Sequence, residues 1–221
     1  MNPDQFHALR AGRFGGREHT VVPLGELHVR SGRLEASDPY VGLGEGLVVA
    51  VPPGTYPVAV TVVDVSDAQD GSHLRESHLS VIVAEGTPAR IEFVVPEGRA
   101  PAPAGEYYGV GVDAGTVAFT DAAAVARCMP DGDWYDAVFD TGRPDSWFAL
   151  MDSAEHLVAG SANIVMPGAQ NGENVVLTHS GWGDGFYPVV ATYDDAGRLL
   201  GVHIDTLVDD PDYLGDQSPR D

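Results

Sequence analysis

Lysine is absent from this chain. All 12 basic residues in its 221 are arginine, set against 33 Asp and Glu, for a formal net charge of −21. A chain this acidic repels phosphate backbones and anionic headgroups, so neither nucleic acid nor a membrane is expected as a partner. A basic protein, a cationic ligand or a divalent cation is electrostatically allowed. Cys128 is the single cysteine, which excludes an internal disulfide and suits a reducing cytoplasm. No apolar run approaches the roughly 18 residues that span a bilayer. Residues 1–16 hold neither an apolar core nor a small-residue cleavage site, so no secretory signal is expected. A Gly-x-Ser-x-Gly elbow and a P-loop lysine are missing. No two of the eight histidines stand at the spacing of a helical metal pair. There is no internal repeat and no low-complexity tract.

The acidic excess is uneven. Residues 1–110 carry 14 acids and 8 Arg, whereas residues 111–221 carry 19 acids and 4 Arg. Part of it serves solubility, and a coding bias towards Arg, Ala, Gly and Asp or a high-salt habitat produces the same balance. The hydrophobic fraction of 43% is ordinary, and the length supplies ample core.

Most of the chain reads as β-strand. Residues 1–20 are polar and read as a flexible leader. Glu26–Val29 and Arg33–Ala36 read as a hairpin around Ser31-Gly32. Tyr56–Val65 is apolar on both faces and belongs in the middle of a sheet. His78–Val83 and Arg90–Val95 alternate cleanly and read as a second hairpin. Residues 96–105, with three prolines and two glycines, form a candidate linker between a β subdomain (21–95) and an α+β subdomain (106–208). Asp121 is placed to cap a helix over Ala122–Cys128, and Trp134–Asp140 and Trp147–Ala154 are weaker helical segments. Tyr187–Tyr193 and Leu199–Asp205 form the last hairpin, before an acidic tail over 209–221. The fold class expected is α+β, mainly antiparallel β, as a sandwich or a curled barrel-like sheet with one or two packed helices.

The stretch that stands out is Ser180-Gly181-Trp182-Gly183-Asp184-Gly185-Phe186-Tyr187-Pro188. Three glycines in five residues let the backbone take positive φ and admit a close neighbour. Trp182 is expected to be buried there, with one N–H to satisfy. Read with Gly111-Val112-Asp113-Ala114-Gly115, Ala118–Ala122, Gly25-Glu26-Leu27, Ser31-Gly32-Arg33, Asp38-Pro39 and Pro52–Val58, the chain resembles the bacterial family called domain of unknown function 4241 over most of residues 21–208. That resemblance implies a fold and candidate positions, not a mechanism.

Asp113, Asp121 and Asp184 are the carboxylates on these motif-bearing turns. Two of them within roughly 5 Å of each other would bind a divalent cation or share a proton, Asp113 and Asp184 being the pair to watch. The plainer reading is that each caps a helix or accepts backbone N–H groups in its turn. Ser180 has His179 beside it, but neighbours on a strand point to opposite faces, so His179 is badly placed to be its base. Trp182, Phe186 and Tyr187 would line a pocket with Tyr107, Tyr108 and Trp134, or else close the core. Three function classes follow. One is an acidic binding protein that meets a basic protein partner, as an immunity protein does, through Asp113, Asp121, Ser180, Trp182, Asp184 and Tyr187. Another is a metal-assisted hydrolase using Asp113 and Asp184. A small-ligand sensor built on the same loop is a third. No cofactor is expected beyond a possible divalent cation.

Overall fold

The computed structural model describes residues 3–210. Thirteen strands, two short α-helices, a 3-10 turn at Pro3–Gln5 and a π turn at Tyr135–Phe139 make up the regular structure among them. The expected α+β class with mainly antiparallel β is what the protein adopts, one sheet curling into a half-barrel.

The larger sheet holds β1 (Gly12–Phe14), β2 (Arg17–Val29), β5 (Gly54–Asp64), β6 (Leu74–Ile82), β13 (Leu199–Asp205), β12 (Gly185–Tyr193) and β7 (Arg90–Phe93) in that order, with β8 (Gly109–Val112) also paired to β12. The smaller sheet runs β10 (Ser161–Val165), β11 (Asn174–His179), β9 (Thr116–Asp121), β3 (Arg33–Ser37) and β4 (Leu47–Ala50). All pairings are antiparallel.

Two-residue periodicity sorts the side chains into layers. In β5, Val58 and Val60 enter the core between the sheets, as do Leu79 and Val81 of β6, Val202 and Ile204 of β13, and Val117 and Phe119 of β9. The other face of the small sheet, through Ala118, Ala162, Val175 and Leu177, packs on α1 (Ala122–Cys128) and α2 (Trp147–Asp152). Each Val, Leu, Ile or Phe side chain among these contributes about 1.5–3 kcal/mol on burial. The large sheet's outer face carries Thr61, His78, Ser80 and His203, and Phe6 and Ala8 cover part of it with Ile91 and Val190.

β5 lies centrally, between β2 and β6, and β12–β13 is a hairpin, both as expected. Other expectations need correction. Glu26–Val29 and Arg33–Ala36 do not pair with each other. β2 pairs with β5 and β3 with β9, so the Ser31-Gly32 turn carries the chain from one sheet to the other. Asp121 holds that turn, accepting from the Ser31 N–H at 2.8 Å and from its hydroxyl. β6 and β7 are likewise no hairpin, because β13 and β12 stand between them.

The division at residues 96–105 does not separate structural units. That segment joins β7 to β8, both paired with β12, and the large sheet draws strands from both sides of it. The described part of the expected leader, residues 3–20, is built into the fold. Residues 12–14 and 17–29 are strands, and the Leu9 N–H donates to the Thr61 hydroxyl at 2.9 Å. Of the expected acidic tail, Asp209 packs against β2; residues 211–221 lie outside the described residues.

Candidate functional site

The two Gly/Asp motifs meet. The Ser180 N–H donates to the Gly115 carbonyl at 3.0 Å, and the Gly115 N–H donates to Asp184 Oδ1 at 3.2 Å. β8 and β12 pair Gly185 with Val112 and Phe186 with Gly111, so Asp184 and Asp113 lie side by side just beyond that register. Gly115 (φ 62°) and Gly181 (φ 70°) both take left-handed conformations that suit glycine.

The group that fixes this junction is Asp38, which enters the sequence analysis only through the Asp38-Pro39 motif. It is 2% exposed. Oδ2 accepts from the Asp113 and Ala114 N–H groups at 2.9 and 2.7 Å, and Oδ1 accepts from the Thr116 hydroxyl at 2.8 Å and the Tyr40 N–H at 3.2 Å. The signal for it was present: Asp two residues before an available N–H forms an Asx turn, here Asp38 to Tyr40.

The other candidates divide. Asp121 is buried and caps α1 through the Ala123 N–H, the plainer of its two readings. Ser180 is buried, and its hydroxyl donates to the Gly183 carbonyl at 2.6 Å. Tyr187 is fully buried, and its hydroxyl donates to the same carbonyl at 2.8 Å. Both therefore fold the loop onto itself. Trp182, expected in the core, is only partly buried; the Arg75 guanidinium lies 5.6 Å over its ring and His73 meets its edge. Asp113 and Asp184 have exposed side chains. The expected aromatic pocket does not form as a unit, since Trp134 belongs to the helical layer and Tyr187 to the core between the sheets. What the loop does build is a ladder of rings: Phe93 stacks on Tyr107 at 5.1 Å, and Tyr107 on Phe186 at 5.7 Å. Phe93 and Phe186 are 41% and 52% exposed, and Glu92, Glu106, Asp113 and Asp184 are neighbours of these rings in sequence or register.

The family model for proteins of unknown function, DUF4241, matches residues 27–204. The chain belongs to that family. No curated protein and no solved structure matches it. The DUF4241 span contains both motifs of the junction and Asp38, and no helix among the described residues is long and apolar enough to cross a membrane.

A second polar region was not anticipated. On the outer face of the large sheet, His78 and His203 are buried beneath the edge of Phe6, at 5.0 and 5.2 Å. His203 Nδ1 faces the Ser80 hydroxyl at 2.8 Å and Nε2 the Thr192 hydroxyl at 3.1 Å. Burial, aided by the His78 charge, pushes the His203 pKa down to about 3. A cavity of about 600 Å³ opens beside it, with Phe6, Leu9, Ile82 and Leu200 among its walls and Thr192 and His203 reaching it. Buried histidines on strands carry no spacing signature, so only the sheet order brings them together.

Proposed function

We propose that this DUF4241 protein is a binding protein, and that its Phe93–Tyr107–Phe186 edge docks a basic protein segment. The observation that carries this reading is the stacked, half-exposed ring ladder set beside Asp113 and Asp184 on a chain of net charge −21. Ring faces attract Arg and Lys side chains, each exposed contact contributing about 0.5–1 kcal/mol, while the carboxylates steer the approach. Neutralising a basic toxin, as an immunity protein does, is one use of such a face. The hydrolase alternative has less support. Asp113 and Asp184 alone supply two carboxylates, and Asp184 already accepts from Gly115.

An arginine-rich peptide is the probe. Its binding, followed by fluorescence anisotropy, is expected to weaken with salt and to fall roughly tenfold or more in Phe186→Ser and in the double change Asp113→Asn with Asp184→Asn. Asp145→Asn, in the helical layer two layers away, serves as the control. An equal loss in the control, or none in Phe186→Ser, would leave only non-specific charge attraction.

The cavity beside His203 favours a second reading, a small-ligand sensor, sited away from the Ser180–Pro188 loop. Apolar walls from Phe6, Leu9, Ile82 and Leu200, with Arg10, Glu85, Thr87, Thr192 and His203 also on the lining, suit a compact ligand with an apolar body and a polar end. A neutral apolar dye should bind once per chain and lose that binding in Ala84→Trp, whose indole would occupy the cavity; Ala84 lines it and is only partly buried. Unaltered dye binding in that variant would remove the reading.

A further inference from the structure

We propose that His7, His19 and Asp209 form a binding site for a divalent transition-metal ion of the zinc class. His7 precedes β1, His19 lies on β2, and Asp209 follows β13. All three stand outside the span that identifies the family, residues 27–204. One ligand atom from each lies within 4.8 Å of the other two, the one such group of three among the described residues. Ligands held tetrahedrally at about 2.0–2.2 Å from zinc stand somewhat closer than this, so small side-chain rotations complete the geometry.

The hydrogen bonding asks for a cation. His19 is buried, and its Nδ1 lies 3.1 Å from the Arg17 carbonyl, an acceptor that calls for a proton on Nδ1. In the neutral ring this leaves a lone pair on Nε2, aimed at Asp209 Oδ1 at 2.9 Å. Two lone pairs at that distance repel unless a second ring proton or a metal ion lies between them. A backbone carbonyl on the far nitrogen is also the usual way to orient a histidine ligand. Independently, His7 Nδ1 and Asp209 Oδ2 are both buried without a hydrogen-bond partner and lie 3.7 Å apart. Buried polar atoms are rarely left so, and a shared ion satisfies both.

The backbone supports the same assignment. Three non-glycine residues among those described take positive φ: Leu9 (62°), Gln69 (52°) and Leu207 (60°). Two of them stand two residues from His7 and Asp209. Left-handed backbone is unfavourable for leucine, and here it turns both terminal segments towards β2. The His7 ring is held by stacking on Phe14 at 4.8 Å, and Arg17 donates to the Val208 carbonyl at 3.0 Å, anchoring the segment that carries Asp209. Two histidines and one carboxylate suit zinc and its borderline neighbours better than calcium or magnesium, which prefer all-oxygen sites. Three protein ligands leave one position for water or an exogenous ligand. The bound ion would clamp both terminal segments onto the outer face of the large sheet.

The test is a zinc titration of the metal-free full-length chain by calorimetry, with cobalt(II) as a spectroscopic probe. One zinc per chain is expected, with a raised melting temperature, visible cobalt bands of a low-coordinate site, and no competition from magnesium. His7→Gln and Asp209→Asn should each weaken binding by more than the roughly tenfold to hundredfold that loss of an outer-shell partner causes. Absence of zinc binding, or several weak sites unchanged in these variants, overturns the proposal and assigns any response to the acidic surface. Should a variant fail to fold, imidazole nitrogen NMR of the unaltered chain decides. Zinc must shift Nδ1 of His7 and Nε2 of His19 while leaving His73 and His156 in place; any other pattern overturns the site.

Discussion

Asp38→Ala is expected to destabilise the protein by about 4 kcal/mol, measured by urea unfolding. The carboxylate accepts four hydrogen bonds, from the N–H groups of Tyr40, Asp113 and Ala114 and from the Thr116 hydroxyl. A buried donor left without its acceptor costs about 1–3 kcal/mol, and bonds to a charged acceptor are the stronger kind. The two donors nearest solvent recover part of that from water, which keeps the total below the simple sum. Asp38→Asn retains one acceptor oxygen but turns an amide NH₂ towards the remaining donors, so roughly half the loss is expected. Asp113→Asn, an exposed change in the same turn, should stay within about 0.5 kcal/mol. A loss below about 1 kcal/mol in Asp38→Ala would show that the Gly111–Gly115 turn holds without it.

The second large effect is acid sensitivity centred on His203. Its folded-state pKa is pushed down to about 3 by burial, against roughly 6.5 in an unfolded chain. Between those values the unfolded chain binds a proton that the folded chain refuses. Stability therefore rises with pH across this window and is lost as pH falls from about 6.5, at up to about 1.4 kcal/mol per pH unit. Between pH 6.5 and pH 4 the loss should reach about 3 kcal/mol. His203→Gln keeps a polar side chain between Ser80 and Thr192 but does not titrate. The stability difference between the unaltered protein and this variant should shrink or reverse by that amount on acidification. Carboxylates with lowered pKa, Glu173 among them at about 2, also lose stability in acid. They are common to both proteins and cancel in the difference. A difference that stays constant with pH would show that His203 is not the group responsible.

Local chemistry determined much of this protein. The Val58–Val63 alternation makes β5 a strand buried on both faces, because side-chain period and burial are set within a few residues. Asp121 caps α1, and β12 and β13 close a hairpin, because each device acts across a short stretch of chain. The Gly/Asp motifs at 111–115 and 180–188 announced themselves by composition, and they meet. Partnership at long range is a different matter. Ser31-Gly32 has the residues of a hairpin turn, yet Asp121, far along the chain, holds Ser31 and the flanking strands part into two sheets. Asp38 stood only in the Asp38-Pro39 motif, and three of its four donors, from Asp113, Ala114 and Thr116, came within reach only when the turn folded over it. The His7, His19 and Asp209 group draws on segments that read as a loose leader and an acidic tail. No spacing rule joins residues at opposite ends of a chain. The order of strands across the large sheet does, because β2 is where the first and last described segments come to rest.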